Sequence, residues 1–434
     1  MSKVRELINW RPPVPFYYGW LILGMAALGT FAGTGLSQVV MGGAQDFILD
    51  DTGWDRRSLA LAVTTGTWLS GLMGPLMGHM ADRVGPRWLM PLGVALVGIV
   101  FLIIAGINSF SIFFIVYVTG RGLSNTTLIG IVPRTTAVNF FRKRRNIALA
   151  VTSTFRPVSS AINIQIISLF VSMLGWRSAY WFLSIVSFSL ILPLAIVMRR
   201  KPEDIGLLPD GDDRVDDDGS KSTESISLNV QNDEISWATA STIRTSAFWL
   251  IGMSVVFGIL ASSTLSFSMV PYLHQSVGIS SAQATGVLSL STFLALAVIA
   301  WGYAADRVSP RLLLLIALPA ATVVTLYLLT VDSLFTAYLF GIIWGIFAGA
   351  LGVLEQMLLA QYFGRGSYGA ITGAMAPMQM IALGLGPALA AILSEATGAY
   401  TVQFIIVASL YIAAALMIYW AKPPILKNRV NSQM

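Results

Sequence analysis

Apolar residues run along this chain in long stretches broken by short polar intervals. The stretches lie at about 16–41, 58–79, 88–107, 110–139, 147–173 and 177–198. After a polar gap they resume at about 247–273, 283–304, 311–330, 334–363, 368–394 and 399–421. Each is long enough, as a helix, to cross the hydrocarbon core of a bilayer, which needs roughly 20 residues. Most of the breaks are only a few residues long, which predicts antiparallel neighbours. The one long break, about 199–246, gathers Asp212, Asp213, Asp216, Asp217 and Asp218. Such a segment buries too little to fold alone and reads as a solvated linker. The pattern predicts an all-α membrane protein of twelve transmembrane helices. Its halves are residues 1–200 and 244–434, joined by an acidic cytoplasmic linker at 201–243.

Composition narrows the class. Of 434 residues, 55% are hydrophobic and 11% charged, and the mean hydropathy is +0.73. A soluble domain carries about 25% charged residues, so a soluble enzyme, a disordered scaffold and a fibre are all poor fits. There is no cysteine, and His79 and His274 are the two histidines. Disulfides, thiolate metal sites and histidine clusters are therefore not expected, and neither a metal nor a cofactor is predicted. No phosphate-cradling glycine loop of the Walker type occurs, so nothing points to ATP-driven pumping or to an enzyme.

The net charge of +6 would suggest nucleic acid in a soluble chain, but its distribution indicates topology instead. With the N terminus placed inside, the inward segments hold 21 Lys and Arg residues, whereas the outward loops hold Arg56, Arg57 and Arg177. Positive flanks stay cytoplasmic, so both termini are expected there. The first stretch, preceded by Trp10, Pro12, Pro13 and Pro15, is too long for a cleaved signal core. It reads as the first membrane helix, with Tyr17, Tyr18 and Trp20 at the interface.

The two halves repeat. Gly78-His-Met-Ala-Asp82-Arg83-Val-Gly85-Pro-Arg87 follows the second stretch, and Gly302-Tyr-Ala-Ala-Asp306-Arg307-Val-Ser-Pro-Arg311 follows the eighth; seven of ten positions match at an offset of 224 residues. Asn139-Phe140-Phe141 is echoed by Gln361-Tyr362-Phe363. Tandem halves of this kind build alternating-access transporters, with the substrate site between them near mid-membrane. Gly78 and Gly85 permit close packing and a tight turn. Asp82, Arg83, Arg87 and, in the second copy, Asp306 form charged elements that can be made or broken as a gate.

The first loop resembles the signature of the major facilitator superfamily, and the resemblance extends over nearly the whole chain. Tyr17-Tyr18-Gly19-Trp20, Gly53-Trp54-Asp55-Arg56, Lys201-Pro-Glu-Asp-Ile-Gly-Leu-Leu-Pro-Asp210, Phe248-Trp249 and Val270-Pro271-Tyr272-Leu273 further resemble its monocarboxylate and oxalate/formate branch. That resemblance implies anion transport. The branch's charged residues do not carry over. The eighth stretch reads Ser289-Leu-Ser291-Thr292-Phe293 without charge, and the eleventh offers Gln379.

Ionisable residues inside a bilayer cost about 2.5–3.5 kcal/mol each on insertion scales and mark function by default. Four fall within stretches: Arg121, Arg134, Arg156 and Glu355. Three positive charges against one negative invite an anion. Arg156 shares a helical face with Thr152, Ser160 and Asn163, and Arg121 has Asn125 one turn below. A guanidinium fork suits a carboxylate. Thr34, Gln38, Ser266 and Gln379 add polar positions from other stretches, and the site is expected from these with Arg121, Asn125, Arg156 and Ser160. Arg134 lies nearer the cytoplasmic end and is expected to gate. Glu355 falls at a similar depth in the other half and is expected to pair with Arg134 and to take the coupling proton.

The sequence therefore predicts a secondary transporter moving a small organic anion, a mono- or dicarboxylate, across the cell (inner) membrane as a monomer with proton coupling. Its partners are the anion, protons and the bilayer, not nucleic acid. Anion exchange and export of neutral or amphiphilic compounds are the alternatives.

Overall fold

The computed structural model describes residues 13–211, 237–397 and 400–424. Expectations placed on Lys3, Arg5, Trp10, Arg11, Pro12, the Asp212–Asp218 cluster, Arg214, Lys221, Lys427 and Arg429 lie outside those residues. Within them every regular element is helical. Eleven helices are long and apolar enough to cross a membrane. The other long helix, Arg145–Leu174, carries Thr152, Arg156, Ser160 and Asn163 along its length.

The first membrane helix is longer than the apolar stretch and is broken. It runs as α1 (Tyr18–Thr34) and α2 (Gln38–Thr52). The break has local causes. Thr34 Oγ1 turns back onto the Phe31 carbonyl at 2.9 Å, and Ser37 is extended and caps α2 by accepting from the Val40 amide at 3.4 Å. Gly35 leaves room for the Phe101 ring, which a Cβ there would meet at 2.5 Å.

Helices α3 (Arg56–Arg83) and α4 (Pro86–Gly106) come next. The fourth span begins as α5 (Phe110–Ser124), opens into a wide π turn at Asn125–Gly130 and continues as α6 (Ile131–Phe140). Then come α7 (Arg145–Leu174) and α8 (Trp176–Val197). After the linker lie the short α9 (Thr239–Ile243) and the long α10 (Ser246–Gln275). The eighth span is α11 (Ser281–Leu294), a tight turn and α12 (Val298–Ala305). The last four helices are α13 (Pro310–Tyr327), α14 (Leu334–Phe363), α15 (Tyr368–Thr397) and α16 (Tyr400–Trp420).

The chain forms two compact units. One contains residues 1–236 together with 365–381; the other contains 237–364 and 382–434. The first turns of α15 thus belong with the N-terminal helices, and its remainder with the C-terminal ones. In the first unit α4 lies along α8, α3 along α5, and α7 against α1 and α2. In the second, α10 and α13 both lie along α16, and α14 runs against α11 and α13. The stripe Gly341, Gly345 and Gly349 provides the seam of α14 with the eighth span. A Cβ at Gly345 would sit 2.3 Å from the Ser291 carbonyl oxygen, and one at Gly349 2.4 Å from that of Ala295. Without a solvent-driven hydrophobic force between helices, this kind of backbone approach is what holds them.

The linker does not become free chain at residue 201. Its opening residues fold into two tight turns, Pro202–Ile205 and Pro209–Gly211, with Gly206, Asp210 and Gly211 at positive φ. Tyr17 donates its hydroxyl to the Phe140 carbonyl at 2.7 Å and lies 3.4 Å from that of Leu208. Burial raises the Tyr17 phenol above its usual range, with the Asp210 carboxylate adding to the effect, so the donated proton is retained.

Candidate functional site

The break in the first span sets the geometry around the mid-membrane arginines. It leaves the Leu36 carbonyl without a helical partner, and α5 supplies two. Tyr117 donates its hydroxyl at 3.1 Å, and Arg121 donates Nη1 at 2.8 Å. The same guanidinium donates Nε and Nη2 to Thr67 Oγ1 at 3.1 and 2.8 Å. Gly66 makes room for it, since a Cβ there would lie 2.8 Å from Arg121 Cδ. Arg121 is buried, with 6% of its surface exposed. Its charge-assisted donors tie α5 to α3 and to the broken first span. Asn125 is similarly engaged, donating Nδ2 to Ser70 Oγ at 2.9 Å.

Arg156 is different. Its side chain is exposed, and it makes no hydrogen bond or ion pair among the described residues. It precedes Pro157 in the middle of α7. One turn on, Ser160 is buried at 4% exposure with an unpartnered hydroxyl. Asn163, fully buried, donates Nδ2 to the Phe31 carbonyl at 2.8 Å and to Thr34 Oγ1 at 3.0 Å, while its Oδ1 has no partner. The polar stripe of α7 is therefore split. Its C-terminal end, with Thr34, fastens α7 to α1, and its centre presents a cation and a hydroxyl with no hydrogen-bond partner among the described residues. Gln38, the first residue of α2, is exposed.

The π turn separates Arg121 from Arg134. A widened turn acts like one inserted residue, re-phasing the rest of the span by roughly 100°. Thr30 of α1 donates to the Leu128 carbonyl inside that turn at 2.7 Å. Arg134 is half-buried on α6, makes no hydrogen bond or ion pair among the described residues, and lies within electrostatic reach of Tyr368, as does Arg145.

The signature loop meets the start of α15, the segment that carries Tyr368. Asp82 accepts from the Gly369 amide at 3.0 Å and the Ala370 amide at 2.7 Å, placing a carboxylate on the first turn of α15 where orphan donors and the helix dipole favour it. The glycines of α3 let α15 approach. A Cβ at Gly78 would meet the Gly369 carbonyl oxygen at 2.1 Å, and one at Gly74 would meet Ala376 Cβ at 2.4 Å. Gly85, at φ +81°, leaves room for Arg200. Arg83 is exposed, and Arg87 lies over the Trp88 ring at 5.7 Å.

The second copy is built differently. Asp306 is exposed, Arg307 lies over the Tyr303 ring at 4.3 Å, and Arg311 donates to the Tyr419 carbonyl at 2.6 Å. Ser309, in place of the turn glycine, caps α13 by accepting from the Leu312 amide at 3.3 Å.

In the second unit, Glu355 of α14 is 4% exposed, and its Oε1 has no hydrogen-bond partner among the described residues. It faces Gly258 of α10, where a Cβ would lie 3.7 Å from that oxygen. The pair expected between Glu355 and Arg134 joins residues of different units and is not among the contacts within either one. Ser266 is exposed on α10, and Gln379 is half-buried on α15, in the part of that helix belonging to the first unit. Sequence reasoning missed Thr67 and the Leu36 carbonyl as the acceptors of Arg121, and Gly66 as the residue that makes room for it. The Gly33-Thr-Gly35 run followed by a capping serine was the available signal for the break that exposes that carbonyl.

A family model described as Major Facilitator Superfamily matches residues 24–292 and again 251–433. The chain belongs to the Major Facilitator Superfamily. It is a multi-pass membrane protein and, as a member, a secondary transporter. No curated protein sequence matches it. Among solved structures it is similar to the proton:xylose symporter XylE bound to 6-bromo-6-deoxy-D-glucose, at 13% identity and TM-score 0.69, over 93% of this chain and 96% of that one. It is also similar to the E. coli fucose:proton symporter FucP, at 12% identity and TM-score 0.68, over 94% and 100%. The human organic anion transporter MFSD10 (TETRAN) matches at 16% identity and TM-score 0.65, again over 94% and 100%. At these identities the likeness is one of fold.

Proposed function

We propose that this superfamily member carries a small organic anion, a mono- or dicarboxylate, by alternating access across the cell membrane. The reading rests on one observation: Arg156 holds an exposed guanidinium at the middle of α7 with no hydrogen bond or ion pair among the described residues. The neighbours in fold are described as carrying sugars in two cases and organic anions in the third, so fold does not choose between solutes. A cation at membrane depth favours a solute that brings the missing negative charge. Ser160 supplies a hydroxyl beside it, and Gln38 an amide from the start of α2.

Arg121 then acts as a positioning residue, holding α5 against the broken first span. Glu355, a buried carboxylate without a partner on Oε1, is the group to take up a coupling proton. Asp82 and the α15 amides form the gate contact that opens and closes during the cycle, and Arg134 gates with it.

The test is thermal unfolding of the purified full chain with acetate, lactate, oxalate and succinate, each against chloride and the matching amide. A carboxylate at 100 times its Kd should stabilise by about 2.7 kcal/mol. Arg156→Gln should abolish that shift without altering the unliganded melting temperature, and Arg156→Lys should restore little of it because the fork is lost. Full retention of the shift in Arg156→Gln, or stabilisation by the amides alone, would overturn the assignment.

A further inference from the structure

The opening of the linker, residues 201–211, is fastened at two places by chemistry of unequal strength. At its far end Asp210 adopts φ +62°, a backbone conformation costly for a residue other than glycine. That conformation aims its carboxylate at the loop between α6 and α7. It accepts from the amides of Arg142 at 2.8 Å, Lys143 at 2.6 Å and Arg144 at 3.3 Å. Three successive backbone donors on one carboxylate form an anion nest occupied by the protein's own side chain. Tyr17 closes over the same place: a Cβ at Gly211 would lie 2.9 Å from its ring, and its hydroxyl donates to the Phe140 carbonyl.

At the near end Glu203 Oε1 pairs with Arg365 Nη2 at 2.6 Å, while Glu203 Oε2 is buried without a partner. Arg365 also donates to the Asn139 carbonyl at 3.3 Å, and Asn139 donates Nδ2 to the Arg200 carbonyl at 3.4 Å. Arg365 stands three residues before α15, whose Gly369 and Ala370 amides are the ones Asp82 holds.

We propose that residues 201–211 are a strap, anchored on the α6–α7 loop by Asp210, that holds the start of α15 through Glu203 and releases it when the gate opens. The asymmetry of the two ends carries the inference. The Asp210 end is held by three backbone bonds within one part of the chain. The Glu203 end reaches a segment whose helix continues into the other unit, and it leaves one carboxylate oxygen unused. The strap would therefore act on gating whatever solute is carried, and its test needs no substrate.

The experiment is hydrogen exchange, read by mass spectrometry, on the purified full chain. Glu203→Gln keeps shape and removes charge. It should speed exchange of the Gly369 and Ala370 amides about tenfold while leaving those of residues 142–144 unchanged. Asp210→Asn should speed both sets. The double exchange Glu203→Arg with Arg365→Glu should return protection at 369–370 toward wild type. Because the chain has no cysteine, Glu203→Cys with Arg365→Cys can be joined selectively by a short bismaleimide, which should slow exchange at 369–370 below the wild-type rate. Faster exchange in Glu203→Gln confined to residues 201–206, or a bismaleimide cross-link that leaves 369–370 at the wild-type rate, overturns the strap.

Discussion

Gly78→Ala adds one methyl group to a seam that has no space for it. The new Cβ would lie 2.1 Å from the Gly369 carbonyl oxygen, 2.8 Å from its carbon and 3.1 Å from Ala370 Cα. All three are backbone atoms, so no side chain can swing aside, and α3 and α15 must separate by about 1.4 Å to reach ordinary contact distances near 3.5 Å. Overpacking of this kind costs about 1–3 kcal/mol. The separation also stretches the Asp82 bonds to Gly369 and Ala370, one turn along α3; loss of such a cap costs about 0.5–2 kcal/mol. The melting temperature of purified protein should fall by roughly 2–5 °C, and exchange at 369–370 should accelerate. Gly352→Ala and Gly24→Ala are the controls, because a Cβ at either position meets nothing within 4 Å. Both sit inside helices, where alanine is favoured over glycine by about 1 kcal/mol, so both should be neutral or stabilising. If Gly78→Ala melts with the controls, or melts low without faster exchange at 369–370, the seam is not what presents the α15 amides to Asp82.

Thr67→Val removes the acceptor of two Arg121 donors in nearly the same volume. It leaves a buried guanidinium under-bonded, and the melting temperature should fall by an amount matching about 1–3 kcal/mol, with carboxylate-induced stabilisation retained. Loss of ligand response at unchanged stability would instead make Arg121 part of the site. Glu355→Gln removes a charge whose burial is opposed and keeps the shape; the unliganded protein should melt at the same temperature or higher, and uptake of a carboxylate identified by thermal shift should lose its dependence on a proton gradient. Asp306→Asn should leave exchange at the start of α15 unchanged, whereas Asp82→Asn should accelerate it, because the second loop's aspartate is exposed and its turn is capped by Ser309.

The span pattern, the duplicated halves and the signature loop were legible because each arises from a property that survives in one dimension. Hydrophobic length, a repeat offset and glycines at fixed spacing are such properties, and Gly78 and Gly85 do in space what their spacing implied. The partners of individual polar groups were not legible. Arg121 and Arg156 look alike in sequence, each a cation in a stretch with polar residues one turn away. What separates them is Thr67, 54 positions from Arg121, and the Leu36 carbonyl, 85 positions away. Neither distance leaves a local trace, and a backbone carbonyl becomes a receptor only where a helix breaks. The linker was misread at its start for a similar reason. Its composition is polar, but Asp210 and Glu203 are drawn onto donors at 142–144 and 365, which no composition rule anticipates.

The contrast between the two arginines also bears on function. Placing a guanidinium at membrane depth costs about 2.5–3.5 kcal/mol by insertion scales. For Arg121 that cost is offset within the protein by three charge-assisted hydrogen bonds, each worth about 1.5–3 kcal/mol, so its position is explained by stability alone. Arg156 has no such bonds among the described residues, and next to it Pro157 removes a further backbone donor from the helix. Structure alone would favour a neutral residue there. On the proposed reading, a helix that keeps a cation in that place gains from it only when a negative partner arrives. If alternating access requires that partner to leave again on the other side, an incompletely satisfied guanidinium is also what release demands: a site holding its own carboxylate would bind no anion, and a site with Arg121's full set of donors turned to one ligand would bind it too tightly to turn over.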